Sequence, residues 1–163
     1  MQNMQNMQNM HINPYDEILP NLYLGGVKAL DNRSFDMIVN LIKQTSLSDK
    51  TIPSCKSFIR IPINDSPDDS DLLLLLINET QVLEHIHKSL SSGETVLVHC
   101  FAGMSRSATI VACYLIKYTN MSLLNAIEFI KTKRPIVFMG GIHFSSVLTA
   151  ISNKHNYTIL YKN

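Results

Sequence analysis

Thr95-Val96-Leu97-Val98 runs directly into His99-Cys100-Phe101-Ala102-Gly103-Met104-Ser105-Arg106-Ser107. The first four residues are β-branched or apolar with no polar alternation, the pattern of a strand buried on both faces inside a parallel sheet. From Arg106 to about Tyr118 apolar side chains recur at helical spacing, so a strand passes to a helix through one tight loop. Backbone N–H groups in such a turn, with the unpaired N–H groups of the helix's first turn, form an anion cradle. Gly103 permits a close backbone approach that a side chain would obstruct. Arg106 opens the helix, where its planar guanidinium can grip two oxygens of one anion. Cys100 stands at the base of the ring, and Phe101, Ala102, Gly103, Met104 and Ser105 are enough to encircle one tetrahedral oxyanion.

The same cradle acts on the thiol. A free cysteine titrates near ~8.5, so little of it is thiolate at neutral pH. Inward amides, the helix N-terminus and Arg106 all favour the anion, and Ser107 can donate a hydrogen bond to it. Each unit of depression is worth about 1.4 kcal/mol. Cys100 is therefore expected to be a nucleophile. His99 is expected to order the loop from behind. Cys55 and Cys113 lack this setting and are expected to be inert thiols.

Outward from this motif, strands and helices alternate. Ile18 to Leu24 reads as one strand, placed at an edge by Pro20 and ended by Gly25-Gly26. Met37 to Ile42 and Ser57 to Ile63 are short apolar runs rich in β-branched residues, expected as buried strands. Asp71 to about Leu90 is long enough for one helix, with acidic residues at its start and Ser91-Ser92-Gly93 at its close. Ser122 is a candidate N-cap for a helix ending near Lys133, ahead of Pro135. Gly140-Gly141 precedes a last helix from about His143 to Ser152. The expectation is a single-domain α/β fold with a central, mainly parallel sheet flanked by helices. Residues 13–155 form its domain, between a disordered Met-Gln-Asn repeat at 1–12 and a C-terminal tail at 156–163.

Bulk properties narrow the function. Apolar residues make up 45% and charged residues 17% of the 163 residues, as in a folded soluble domain. A formal net charge of +1 argues against a partner that is nucleic acid or a membrane surface. The apolar run Leu72 to Ile77 is too short to span a bilayer, and no lipid anchor motif ends the chain. Three sparse cysteines and no secretory leader point to a reducing, intracellular setting, cytoplasmic or nuclear. His85 and His87 sit two apart on a helix and point in different directions, so no metal site is expected.

His99-Cys100-x5-Arg106-Ser107 resembles the signature of the cysteine-based protein tyrosine phosphatases. Its continuation Ser105-Arg106-Ser107-Ala108-Thr109 is similar to the dual-specificity branch. Ile18-Leu19-Pro20-Asn21-Leu22-Tyr23-Leu24-Gly25 resembles that branch's opening strand, and Ile61-Pro62-Ile63-Asn64-Asp65 its general-acid segment. The resemblance covers roughly residues 15–150. It implies a phosphorylated protein substrate carrying phosphotyrosine or phosphoserine/threonine, a cysteinyl-phosphate intermediate, and no cofactor or metal. Cys100 would then be the nucleophile, Arg106 and the loop from Phe101 to Ser105 the phosphate binders, and Asp65 the general acid. Turn-forming aspartates are common, so Asp68 and Asp69 remain alternatives to Asp65.

Two rivals share the motif. Relatives acting on phosphoinositides or the 5′ end of RNA usually carry Lys, His or Asn within the loop, and none stands here. A non-catalytic phosphopeptide-binding module typically lacks the cysteine or the arginine, and both are present. The Asn that family members often carry after Arg-Pro is missing from Arg134-Pro135-Ile136-Val137-Phe138-Met139-Gly140-Gly141. Lys131, Lys133 and Arg134 are expected as cations at a helix C-terminus. The oligomeric state is not legible.

Overall fold

A computed structural model describes residues 12–43 and 53–162. The Met-Gln-Asn repeat lies outside them, Ile12 excepted. Five strands, β1 (Tyr15–Leu19), β2 (Leu22–Gly25), β3 (Met37–Ile42), β4 (Ser57–Ile63) and β5 (Val96–His99), form one sheet in the order β1-β2-β5-β3-β4. All neighbours run parallel except the β1–β2 pair. β5 is therefore the middle strand, hydrogen-bonded on both sides and buried throughout, as its unbroken apolar run requires. Thr95 and Asp36 lock its start: the Thr95 N–H donates to Asp36 Oδ2 at 2.9 Å and the Asp36 N–H to Thr95 Oγ1 at 3.1 Å.

The described residues hold five α-helices: α1 (Ser70–Thr80), α2 (Val82–Ser91), α3 (Arg106–Tyr118), α4 (Leu123–Lys133) and α5 (Ser145–Tyr161). Alternation along the strands sorts the core. Val96, Val98, Leu22, Leu24, Met37 and Val39 face a large cluster shared with all five helices. Leu97 and Ile38 face a smaller one with Ala29 and Phe35, which covers the opposite side of the sheet. α3 is buried along most of its length at the centre of the larger cluster. Burial holds the start of this helix, and hence the loop before it, against the sheet.

Three expectations need correction. Ile18 to Leu24 is not one strand but a hairpin, broken at Pro20-Asn21, with Asn21 at φ 68°. Proline presets one turn position and asparagine tolerates the left-handed one. The helix expected from Asp71 to Leu90 is two, broken at Gln81 with φ 49°. At 100° per residue a straight helix would aim Val82 about 180° away from Leu73. The break lets Leu73 and Ile77, and then Val82, Leu83 and Ile86, all reach the core. Finally, the last helix, expected from about His143 to Ser152, runs from Ser145 to Tyr161 as α5. No glycine or proline follows Gly141 to stop it, and Thr158 Oγ1 donates to the Lys154 carbonyl within its last turns.

Candidate active site

Each carbonyl of the loop from Cys100 to Ser105 has a donor behind it. His99 Nδ1–H donates to Cys100 O at 3.3 Å, and the Val27 N–H to Phe101 O at 3.0 Å. Arg134 supplies the next two, from Nη2 to Ala102 O at 3.2 Å and from Nε to Gly103 O at 2.9 Å. The Phe138 N–H takes Met104 O at 2.8 Å, and Thr109 takes Ser105 O through its N–H and its hydroxyl. In a trans peptide the N–H points opposite to the C=O. With the carbonyls tied outward, the amides of residues 101–106 turn to the concave side. That is the geometry of an anion nest.

Gly103 makes the ring fit. It adopts φ +69°, and a Cβ there would lie 2.4 Å from the Gly25 carbonyl carbon. The loop thus packs backbone against backbone on the end of β2.

Arg134 is a correction to the sequence reading. It is no solvated helix-end cation but 1% exposed. Besides the two loop carbonyls, its Nη1 donates to Asn13 O at 2.9 Å and to Asp16 Oδ2 at 2.7 Å. Loop support from the segment without the family's Asn comes instead from this guanidinium and the Phe138 amide. Phe138 sits at φ 58°, a conformation bulky residues seldom adopt.

Cys100, 2% exposed, lies 3.1 Å from Ser107 Oγ. Burial by itself would raise this thiol. Hydrogen bonds from the Ser107 hydroxyl and amide, the charge of Arg106 and the Gly103 amide outweigh it and hold the thiol below its ordinary value. Cys113, buried in α3 without such partners, is pushed up to about 12. His99 is fully buried and held down to about 4 by that burial, so it is neutral, with its one N–H on Nδ1 facing the Cys100 carbonyl. Arg106 Nη1 donates to the carbonyls of Leu41 and Ile63, at 3.3 and 3.2 Å, at the C-terminal ends of β3 and β4. Its Nε is buried and has no acceptor among the described residues.

Cys100, Phe101, Ala102, Met104, Ser105, Arg106 and Asp65 line one cleft of about 200 Å³, closed on the far side by Phe138 to Gly141 and His143. Gly103, His99 and Ser107 stand behind it. Among the acidic candidates, Asp65 reaches the loop: its Oδ1 accepts from Ser105 Oγ at 2.7 Å and from His143 Nδ1 at 3.0 Å. Asp69 is occupied elsewhere, its Oδ2 accepting from the Asn64 N–H at 2.7 Å. Asp68 contributes its N–H to Ser66 Oγ. A larger cavity of about 400 Å³ lies between α1, α2, α3 and α5, but no cysteine lines it. Among the described residues no group of three or more His, Cys, Asp or Glu is placed to hold a metal ion. No helix among them is long and apolar enough to cross a membrane.

Residues 22–154 match the family model of the dual specificity phosphatase catalytic domain. A relative, protein 123R of Invertebrate iridescent virus 6, is 40% identical over 125 residues, 75% of this chain and 81% of that protein. Human dual specificity protein phosphatase 16 is 39% identical over 74% of this chain, which spans 18% of that longer protein. The crystal structure of human DUSP28 superposes with a TM-score of 0.70 at 22% identity, over 92% of this chain and 97% of the other. The chain belongs to the dual-specificity branch of the cysteine-based protein tyrosine phosphatases.

Proposed function

We propose that this protein hydrolyses phosphate monoesters on tyrosine and on serine or threonine side chains of proteins, through a phosphocysteine at Cys100. The outward tie of the loop carbonyls from Cys100 to Ser105 carries this reading, because it leaves a ring of amides sized for one phosphate. In the first step the Cys100 thiolate forms an S–P bond while the P–O ester bond breaks. Asp65 gives its proton to the departing oxygen. In the second step water attacks phosphorus, Asp65 takes the proton, and inorganic phosphate leaves with the thiolate restored. Arg106 and the amides hold the equatorial oxygens, most tightly as charge spreads in the transition state. The buried Arg106 Nε is a donor suited to one of those oxygens.

The loop side chains favour a singly phosphorylated target. Phe101, Ala102, Met104 and Ser105 bring no cation to meet a second phosphate, unlike a site built for phosphoinositides. Free thiols at Cys55, Cys100 and Cys113 suit a reducing intracellular compartment.

The test is vanadate-sensitive phosphate release from a small aryl phosphate in chelator-treated buffer, wild type against Cys100→Ser. Turnover that falls by at least roughly 10³-fold in the variant is expected. Folded wild-type protein with no turnover of aryl phosphates or of phosphopeptides would overturn the proposal and favour a phosphopeptide-binding role.

A further inference from the structure

Asp65 is bonded from two sides at a single atom. Ser105 Oγ, from the phosphate loop, donates to Oδ1 at 2.7 Å, and His143 Nδ1–H donates to the same oxygen at 3.0 Å. Oδ2 makes no hydrogen bond among the described residues. An oxygen already accepting two hydrogen bonds is a poor place for the carboxyl proton, so the proton resides on Oδ2. His143 is well placed for this task. It stands on the lip of the cleft, one residue after Ile142 and immediately before Phe144, which is fully buried and anchors the backbone there.

We propose that His143 is a positioning residue for the acid step: it holds Asp65 Oδ1 so that Oδ2 faces the leaving oxygen. The inference rests on Asp65 being the general acid. While the S–P bond forms and the P–O bond breaks, the Oδ2 proton passes to the leaving oxygen and the new carboxylate keeps both donors on Oδ1. Orientation of this kind matters most for leaving groups that cannot depart as anions. Serine and unsubstituted phenol need the proton, whereas a nitrophenolate scarcely does.

The experiment compares kcat/KM for phenyl phosphate and p-nitrophenyl phosphate, since this parameter reports the step that cleaves the P–O bond. The readout is the ratio of the nitrophenyl to the phenyl value in wild type, His143→Leu, His143→Asn, Asp65→Asn and the His143→Leu/Asp65→Asn pair. In His143→Leu the ratio is expected to rise roughly tenfold, against ~10²-fold or more in Asp65→Asn. His143→Asn, whose side-chain amide stands near the place of Nδ1, restores most of the wild-type ratio. The double variant matches Asp65→Asn, because a residue that acts through Asp65 has nothing left to orient. A raised ratio in Asp65→Asn with a wild-type ratio in His143→Leu overturns the His143 inference alone. So does an additional rise in the double variant. A wild-type ratio in Asp65→Asn overturns the acid assignment, and the inference falls with it. The nitrophenyl value of each variant, with its thermal melt, separates loss of fold from loss of orientation.

Discussion

Cys100 and Cys113 are both buried, yet one thiol is held down and the other driven up. Burial favours the neutral form of each, so the difference lies in the donors aimed at Cys100. Ser107 makes the largest lowering contribution through its hydroxyl and its amide. Ser107→Ala removes the first of these. The acid limb of the kcat/KM profile is expected to move to higher pH, because a raised thiol needs more base to ionise; a titration of iodoacetamide reactivity checks the same shift directly. Among the carboxylates, Asp65→Asn is expected to lower turnover of phenyl phosphate by roughly 10²-fold or more. Asp69→Asn instead weakens the acceptor of the Asn64 amide, so it costs thermal stability and leaves the leaving-group dependence in place. Steady-state kinetics on the two variants, with melting curves, separates them.

Among the elements, the phosphate loop is held by backbone rather than by its own side chains. Gly103→Ala puts a Cβ 2.4 Å from the Gly25 carbonyl carbon at a φ of +69°. Neither the loop nor the end of β2 has a flexible atom to yield, so a loss of roughly 2–4 kcal/mol and of most activity is expected. Chemical denaturation and aryl phosphate turnover are the checks. Arg134 serves the same element from a greater distance. Its guanidinium meets acceptors on Asn13, Asp16, Ala102 and Gly103, so it joins the β1 end of the molecule to the loop. Arg134→Lys keeps the charge but loses the planar fork. It is expected to lower kcat/KM and to destabilise the fold by roughly 3 kcal/mol, since Asp16 and two loop carbonyls lose their donors. A lysine variant with wild-type kinetics would remove Arg134 from this role.

At the scale of the whole molecule, the fully buried and neutral His99 makes stability depend on pH. Unfolding releases a histidine that titrates near its ordinary 6.5, whereas in the fold it is held to about 4. Between these values the unfolded chain binds a proton that the folded chain refuses, so stability falls as pH drops from 6.5 towards 4. The loss reaches roughly 3 kcal/mol at the acid end. Urea midpoints measured across that window are expected to decline, and less steeply in His99→Gln; equal slopes in the two proteins would argue against it. The same scale shows which features were legible beforehand. The strand, loop and helix from Val96 to Tyr118 were, with Cys100, Ser107 and Arg106 in place, because they lie a few residues apart and local chemistry binds them. The break at Gln81 was encoded too, since Val82 falls out of phase with Leu73 and Ile77, but the length of the run masked it. The hairpin at Pro20-Asn21 was hidden in the same way by apolar residues on both sides. Arg134, 31 positions from Gly103 and 118 from Asp16, and His143, 78 from Asp65, carried no such mark. An arginine at a helix end and a histidine after two glycines look the same whether solvated or bonded. Only the packing of α4 on β1 and α3, and of α5 on α1, α3 and α4, driven by apolar burial, brings them to the loop and to Asp65.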